Sequence, residues 1–346
     1  MGGLVADRET LGHGPRGQKP DTGLRETAAQ TRDQGGLDLD DVQRTWAGHR
    51  SLIIISVFAS SDLLIFESSA TPVPAWSMDQ QPLSGKVLVV VGGTTGLGLS
   101  AARAFVAAGA RGVVVTGRDA GSASAAITSL GASSVAHVGN ATDPAHAPGA
   151  IALARERFGG FHGLYHVAGG SGRRLGDGPL HEVTDEGLRA TLQLNLESVI
   201  LSNRAAVKQF LAQGTGGAVL NMGSVLGWSP SPEFFATHVY AAAKAAIVGF
   251  TKSAAGYYAA QNIRLNVLAP ALVETPMARR AAADERILKF IATKQPLDGG
   301  RIGRPDDCDG AAVFLLSDAA RFVTGQVLAV DGGWTVSEGQ IPVENP

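Results

Sequence analysis

The sequence predicts an α/β fold built on a doubly wound parallel sheet. Short runs rich in Val, Ile and Leu alternate along the chain with Ala-rich amphipathic stretches. The first run, 86–91 (KVLVVV), is almost wholly apolar, as in strands covered on both faces. A glycine-rich turn follows it directly. Such alternation, with right-handed crossovers, gives a parallel sheet whose ligand lies beyond the carboxyl ends of the strands.

The individual elements follow from hydrophobic periodicity and from breaker residues. We predict strands over 86–91, 112–116, 134–138, 161–167, 218–222, 263–269 and 326–330. We predict helices over 99–108, 120–130, 147–158, 184–213, 239–260 and 306–316. Thr184 or Asp185 is the expected cap of the long fourth helix.

The composition excludes several classes of protein. The chain has 346 residues, 45% of them hydrophobic and 17% charged, and a net charge of −2. It is long enough to bury a core, and its balanced charge predicts no nucleic-acid partner. Cys308 is the sole cysteine, which excludes an internal disulfide framework, and we predict no metal site. No apolar run reaches the ~18 residues of a membrane helix. We therefore expect a cytoplasmic protein without stable membrane insertion.

Residues 1–77 differ from the rest of the chain. They carry seven Lys and Arg against ten Asp and Glu, which leaves +1 for residues 78–346. The apolar run 52–66 is expected to pack locally as a strand or helix, with contact to a membrane surface as the alternative. We predict an N-terminal extension over 1–77, poorly ordered or loosely packed, and one domain over 78–346.

The turn after the first strand has the features of a phosphate-binding turn. Gly92 permits a tight bend, Gly96 allows backbone to approach a pyrophosphate, and Gly98 lets the helix pack close to the strand. Backbone N–H groups at the start of the helix would then face the anion. The residues between these glycines that we expect to share in cofactor binding are Thr94, Thr95 and Leu97.

The end of the second strand bears on the choice of dinucleotide. Gly117 leaves space, and Arg118 offers a forked cation to a 2′-phosphate, which favours NADP(H) over NAD(H). Asp119 leaves the alternative open, because it can turn outward to cap a helix or inward to bind the ribose.

Tyr240 and Lys244 form the catalytic motif. At positions i and i+4 of a helix, the two side chains share one face. A nearby ammonium favours the phenolate and would lower the pKa of Tyr240. Tyr240 could then exchange a proton with an alcohol or a carbonyl group.

Taken in order, these motifs resemble the short-chain dehydrogenase/reductase family. The resemblance rests on GxxxGxG at 92–98, an altered NNAG at 166–169, Asn195, Ser224, YxxxK at 240–244 and a turn at Pro270. It spans about 78 to 339 and implies a Rossmann-type domain. By resemblance, Tyr240 is the general acid/base, Ser224 donates to the substrate oxygen, and Lys244 tunes Tyr240 and binds the nicotinamide ribose. Asn195 would hold a water that links Lys244 to solvent.

The resemblance also assigns cofactor contacts. Gly169, beside Ala168, would pass beneath the nicotinamide ribose. After Pro270, the main chain at Val273 would bind the carboxamide, and Thr275 the amide or the phosphates. The family's usual acid near the adenine is replaced by Asn140, whose amide can still bond a base edge.

Four further positions depart from the family pattern. Val91 replaces a common Thr, so one structural hydrogen bond is expected to be missing. His166 and Val167 replace two Asn, which removes a link between central strands that His166 could partly restore. Ala271 replaces the Gly after Pro270. None of these changes removes a catalytic group.

The substrate side of the sequence is less specific. Residues 225–239 carry several aromatic groups that could wall the pocket, with loop packing or a subunit contact as alternatives, and His238 is a candidate for the mouth. Residues 276–300 are placed as a substrate lid by resemblance, with Gly299 and Gly300 as hinges. Arg173 and Arg174 could meet an acidic substrate, although a solvated loop is the simpler interpretation.

These inferences predict an NAD(P)(H)-dependent oxidoreductase that acts on a ketone or a secondary alcohol. One alternative is a nucleotide-binding regulatory or scaffold protein without turnover, and another is a dehydratase or epimerase that uses the same site. By resemblance we expect a homodimer or homotetramer, to which the segment ending in Trp334 would contribute, with a monomer that buries this tail as the alternative.

Overall fold

The computed structural model describes residues 81–341, together with the backbone of two short strands nearer the N-terminus. The chain divides into two units, Met1–Ala75 and Trp76–Pro346. In the first unit, β1 (Leu52–Ile55) pairs antiparallel with β2 (Leu64–Glu67). The apolar run predicted to pack as a strand or helix thus contains β1 and most of β2. The other predictions for residues 1–77 lie outside the described residues.

The second unit is built on a seven-stranded sheet in which every pairing is parallel. Its strands are β3 (Val87–Val91), β4 (Gly112–Gly117), β5 (Ser134–Val138), β6 (Gly163–His166), β7 (Gly217–Met222), β8 (Ile263–Pro270) and β9 (Val327–Val330). Their order is β5-β4-β3-β6-β7-β8-β9. The order reverses at β3, and such a switch point opens a crevice between β3 and β6.

Helices connect the strands. They are α1 (Gly96–Ala107), α2 (Ala120–Leu130), α3 (His146–Phe158), α4 (Asp185–Leu192), α5 (Ser198–Gln213), α6 (His238–Tyr258), α7 (Arg279–Ala282), α8 (Glu285–Lys294) and α9 (Asp309–Leu316). Among the described residues, no helix combines the length and apolar character needed to cross a membrane.

The sheet is covered on both faces because its central strands are apolar on both. Leu88 and Val90 pack with α1, α2 and α9, whereas Val87, Val89 and Val91 pack with α3 and α5. Side chains alternate across a strand, so one uninterrupted valine run serves both layers. The predicted doubly wound parallel sheet is confirmed.

The helix predicted over 184–213 is continuous but not regular. It runs through α4, a π-helical turn (Gln193–Glu197) and α5. Thr184 caps the start, accepting from Gly187 N at 2.9 Å. A π turn places one extra residue in the helix and commonly marks a functional site. Here it includes Asn195, which is fully buried.

Candidate active site

A cavity of about 1070 Å³ lies beyond the carboxyl ends of the strands. It runs from the glycine turn after β3 to the Tyr240–Lys244 pair on α6. All of the predicted site residues line it except Gly98 and Asn195. The structure therefore brings together residues that are up to 183 positions apart, from Gly92 to Thr275.

The glycine turn is shaped by close backbone approaches. Gly92 has φ +85°, and a Cβ there would lie 2.6 Å from Ala168 N. Gly96, with φ +53°, opens α1 on the cavity wall. A Cβ on Gly98 would collide with Gly92 O, so Gly98 packs the helix against the turn instead of facing the ligand. The sequence analysis expects Val91 to cost the turn one structural hydrogen bond. Two backbone hydrogen bonds hold the turn instead, because Gly92 and Gly93 both donate N–H to Thr116 O.

The residues that follow β4 separate into two roles. Asp119 caps α2 by accepting from Ser122 N at 2.7 Å, and this hydrogen bond lowers the pKa of Asp119. Arg118 is exposed at the cavity and forms no ion pair within the described residues. The outward role that the sequence left open for Asp119 is the one observed, although the residue still borders the cavity.

Tyr240, Ser224 and Lys244 meet at one end of the cavity. Ser224 follows β7, and its hydroxyl lies close enough to Tyr240 to oppose the rise in the pKa of that residue. The Lys244 ammonium lies 5.5 Å from the centre of the Tyr240 ring and donates to Met222 O at 2.8 Å. Lys244 is buried, whereas Tyr240 is partly exposed to the cavity. A proton donor, a second hydroxyl and a cation thus converge on one point.

Burial is the largest influence on the pKa values of Tyr240 and Lys244. It raises the pKa of Tyr240 above its ordinary value, while the Ser224 hydrogen bond acts in the opposite direction. It lowers the pKa of Lys244 to about 8. Without a bound ligand, the loss of hydration around the Tyr240 phenol therefore raises its pKa by more than the Lys244 ammonium is expected to lower it.

Asn195 holds the loop that follows β6. Its Oδ1 accepts from Gly170 N at 3.0 Å, and its Nδ2 donates to Gly170 O and to Thr191 O, both at 2.9 Å. A Cβ on Gly169 would lie 2.8 Å from Asn195 Oδ1 and 3.7 Å from Lys244 Nζ. Asn195 and Lys244 therefore both lie against Gly169, although Asn195 does not line the cavity.

His166 does not restore a link between the central strands. Its Nδ1 lies 2.7 Å from Ser202 Oγ, and its Nε2 lies 3.3 Å from Ser198 Oγ and 3.1 Å from Ala168 O. The ring thus ties β6 to α5. Burial lowers the pKa of His166 to about 3, so the imidazole is neutral at working pH. The paired amides of Asn203 and Asn221 provide a separate connection between α5 and β7.

Only part of the aromatic wall and of the lid expected from the sequence borders the cavity. Phe235 and Trp334 line the cavity, but Trp228 and His238 do not. Trp334 is buried within the chain and donates Nε1–H to Ser229 O, so its burial requires no second subunit. From the lid segment, Pro276 to Ala281 border the cavity. The segment folds mainly as α7 and α8, which the sequence analysis did not predict.

Asp177 is a site residue that sequence reasoning missed. It lies in the loop after β6, is 2% exposed, and accepts from Val239 N at 3.1 Å and Tyr240 N at 2.8 Å. These N–H groups belong to the first turn of α6, where the preceding Thr237 makes no side-chain cap. Asp177 therefore anchors the backbone that carries Tyr240.

We expect Asp177→Ala to lower kcat about tenfold or more and to reduce the free energy of unfolding by about 1–3 kcal/mol, because two buried N–H groups lose their acceptor. Asp177→Asn, which keeps one carbonyl oxygen, should recover part of both. Steady-state kinetics and thermal denaturation measure the two effects. A lower melting temperature with an unchanged kcat would limit Asp177 to a structural role.

A family model adds direct evidence of kinship. The model described as enoyl-(acyl carrier protein) reductase matches residues 91–335, well over half of the chain. The chain belongs to the short-chain dehydrogenase/reductase family. The matched residues include nearly all of the cavity wall described above.

Individual relatives within the short-chain dehydrogenase/reductase family agree with this placement. Momilactone A synthase of Oryza sativa subsp. japonica is 38% identical over 75% of this chain and 93% of its own length. A 2,5-dichloro-2,5-cyclohexadiene-1,4-diol dehydrogenase of Sphingobium indicum is 34% identical over 73% of this chain and 98% of its own. A solved short-chain type dehydrogenase/reductase from Mycobacterium ulcerans superposes with a TM-score of 0.68, at 29% identity, over 74% of this chain and 92% of that one. The protein is accordingly an oxidoreductase of the kind that acts on alcohols or ketones.

Proposed function

We propose that residues 78–346 form an NADP(H)-dependent oxidoreductase that interconverts a secondary alcohol and a ketone, with Tyr240 as general acid/base. The single observation that carries the proposal is the convergence of Tyr240, Ser224 and Lys244 on a cavity that also holds a phosphate-type glycine turn. The diol dehydrogenase among the relatives is named for a cyclic alcohol, which supports this substrate class.

The cavity has the features that a dinucleotide requires. The start of α1 has no side-chain cap at Thr95, so its backbone N–H groups remain for a diphosphate. Any side chain at Gly92 would fill the turn. Gly169 and Val273 line the path toward Tyr240, and Thr275 lines it beside them. When bound, the nicotinamide would accept a hydride from the alcohol carbon or return one to the carbonyl carbon.

The protein's own groups handle the proton and the developing charge. In alcohol oxidation, the ionised form of Tyr240, a minor form because burial raises its pKa, takes the hydroxyl proton while the C–H electron pair leaves with the hydride, so the alcohol loses two electrons and two hydrogens. In reduction, Tyr240 gives that proton to the carbonyl oxygen. Ser224 hydrogen-bonds the same oxygen as charge develops on it. Lys244, whose ammonium lies beside the Tyr240 ring, is the group through which Tyr240 would exchange its proton with solvent, whereas the Asn195 side chain is occupied in holding Gly170.

Two features favour NADP(H) over NAD(H). Arg118 stands at the cavity with a planar cation suited to a phosphate. The Asp119 carboxylate is already used in capping α2. A 2′-phosphate would therefore meet an arginine at this end of the cavity.

We expect Arg118→Ala to raise the KM for NADPH about tenfold or more and to leave the KM for NADH nearly unchanged. The loss of one charge-assisted pair explains the size of the effect. Initial rates with both reduced cofactors measure it. Asp119→Asn is the companion variant, because a larger effect of this change on NADH than on NADPH would point to ribose recognition by Asp119 and against the preference proposed here.

A cofactor-coupled screen tests the function as a whole. The full chain is assayed with NADP⁺ and NAD⁺ against secondary alcohols, and with NADPH and NADH against ketones, by following the reduced-nicotinamide absorbance. Turnover of at least one alcohol–ketone pair is the expected result. Tight dinucleotide binding with no turnover over a broad panel would instead support a nucleotide-binding protein without catalysis.

A further inference from the structure

Besides Arg118, four arginines border the cavity, and they form two pairs along the chain. Arg173 and Arg174 lie in the loop after β6, and Arg279 and Arg280 lie in α7 of the lid segment. All four are exposed. The glycine turn and Arg118 already serve the phosphates of a dinucleotide, so these pairs represent additional positive charge.

Arg173 and Arg280 lie close enough to repel each other. Burial, and next the charge of Arg280, lower the pKa of Arg173, while Asp177 acts in the opposite direction. Both residues also border a second, smaller recess beside the cavity. Arg280 donates to Phe234 O at 3.1 Å, and Phe234 lines the same recess as Arg173 and Arg280.

Each nearby carboxylate already has a hydrogen-bonding partner of its own. Asp177 accepts from the backbone at the start of α6. Glu233 pairs with Arg286 at 2.9 Å, and Asp284 caps α8 by accepting from Arg286 N and Ile287 N. Among the described residues, neither Arg173 nor Arg280 forms an ion pair with a carboxylate. Two like charges held together without an anion form a site complementary to one.

The location of the pair connects it to the reacting end of the cavity. Arg173 is four residues from Asp177, which fixes the backbone at Tyr240. Among the residues that line the cavity, Asp119 is the one with a carboxylate, and it follows β4 beside Arg118. Arg173, Arg280 and Tyr240 all line one cavity, so a single ligand could contact all three.

We propose that the substrate of this oxidoreductase carries an oxyanion group, a carboxylate or a phosphate, that Arg173 and Arg280 bind while its alcohol or carbonyl carbon faces Tyr240. The proposal rests on the function proposed above. Planar guanidinium groups suit both kinds of oxyanion, because each offers paired N–H donors to paired oxygens.

Binding without turnover provides the first test. Calorimetry on the full chain, with saturating NADP⁺, compares cyclohexanecarboxylate, cyclohexyl phosphate and the neutral cyclohexanecarboxamide. We expect at least one anion to bind tenfold or more tightly than the amide, and the preferred anion identifies the group. The preference should shrink at high salt, since the arginines are exposed. Equal binding of all three probes would overturn the proposal and leave the oxidoreductase function untouched.

Variants locate the site. Arg173→Gln and Arg280→Gln should each remove most of the preference, and Arg280→Lys, which keeps the charge but not the fork, should retain part of it. Arg157→Gln is the matched control, because Arg157 is exposed on α3 and does not border the cavity. Thermal denaturation of each variant verifies folding. A preference that survives both glutamine variants would contradict the assignment to these arginines.

Turnover provides the second test and separates the two proposals. A hydroxylated ring with a carboxylate or phosphate should show a kcat/KM at least tenfold above that of its neutral counterpart, and this ratio should fall toward one in Arg173→Gln. Turnover of neutral alcohols with no advantage for the charged ones overturns the anion site alone. A clear anion preference in binding, with no alcohol or ketone turned over, overturns the oxidoreductase function on which this substrate assignment rests.

Discussion

Tyr240→Phe is expected to lower kcat by about 10³-fold or more while leaving cofactor affinity within about twofold of the parent protein. General acid–base catalysis by one side chain accounts for ~10²–10⁴ in rate, and the variant lacks the hydroxyl that is proposed to carry the proton. The ring and its packing are kept, so α6 and the cavity wall should be unchanged. Steady-state kinetics and cofactor titration by fluorescence measure the two quantities.

The same helix offers a matched control for this variant. Tyr257 is 76% exposed and does not border the cavity, so Tyr257→Phe should leave kcat and affinity as they were. Full turnover by Tyr240→Phe would overturn the mechanism. A loss of cofactor binding equal to the loss of kcat would show instead that the hydroxyl acts in assembling the site.

Lys244→Met is expected to lower kcat about 10²-fold or more without lowering the melting temperature at pH 7. The ammonium is buried beside Tyr240 and hydrogen-bonds Met222 O. Burial lowers its pKa to about 8 from the ordinary 10.5, so folding at neutral pH works against the charge. A methionine of similar length removes that desolvation cost, and this gain opposes the loss of one hydrogen bond.

The pH dependence of stability gives this prediction a definite sign. Between about pH 8 and 10.5, Lys244 holds a proton in the unfolded chain that it has lost in the folded one. The free energy of unfolding of the parent protein should therefore gain a contribution from Lys244 as pH rises through this window. Lys244→Met should lack that contribution, whereas Lys252→Met, at an exposed position of the same helix, should retain it. Parallel stability curves for the parent and Lys244→Met would contradict the assignment.

The sheet and the catalytic pair could be predicted because their signals are local. The run before Gly92 is apolar at five consecutive positions, four of them valine, and ends at a glycine turn, which is typical of a strand buried on both faces. Tyr240 and Lys244 are four residues apart, so helical geometry alone places them on one face. The helix α8 also had a local signal, in Asp284 as a cap and the spacing of Ile287, Phe290 and Ile291.

Other parts of the site depend on contacts between distant residues. Asp177 caps a helix that begins 61 positions later, and no pattern near either segment indicates that pairing. The π turn at Asn195 depends on the hydrogen bonds with Gly170, 25 residues away. The partners of His166 are helical serines, Ser198 and Ser202, that the fold alone brings near it. Long-range polar pairing of this kind has no periodicity in sequence.

The anchoring of α6 by Asp177 has a consequence for protein engineering. Loops of this kind are attractive pieces to exchange between reductases when a new specificity is wanted. In this protein, exchanging the loop would also remove the carboxylate that holds the backbone at Tyr240. A chimera without a carboxylate at this position should therefore have a low kcat with every substrate, whether original or newly introduced. Restoring that one side chain should raise kcat for all of these substrates together.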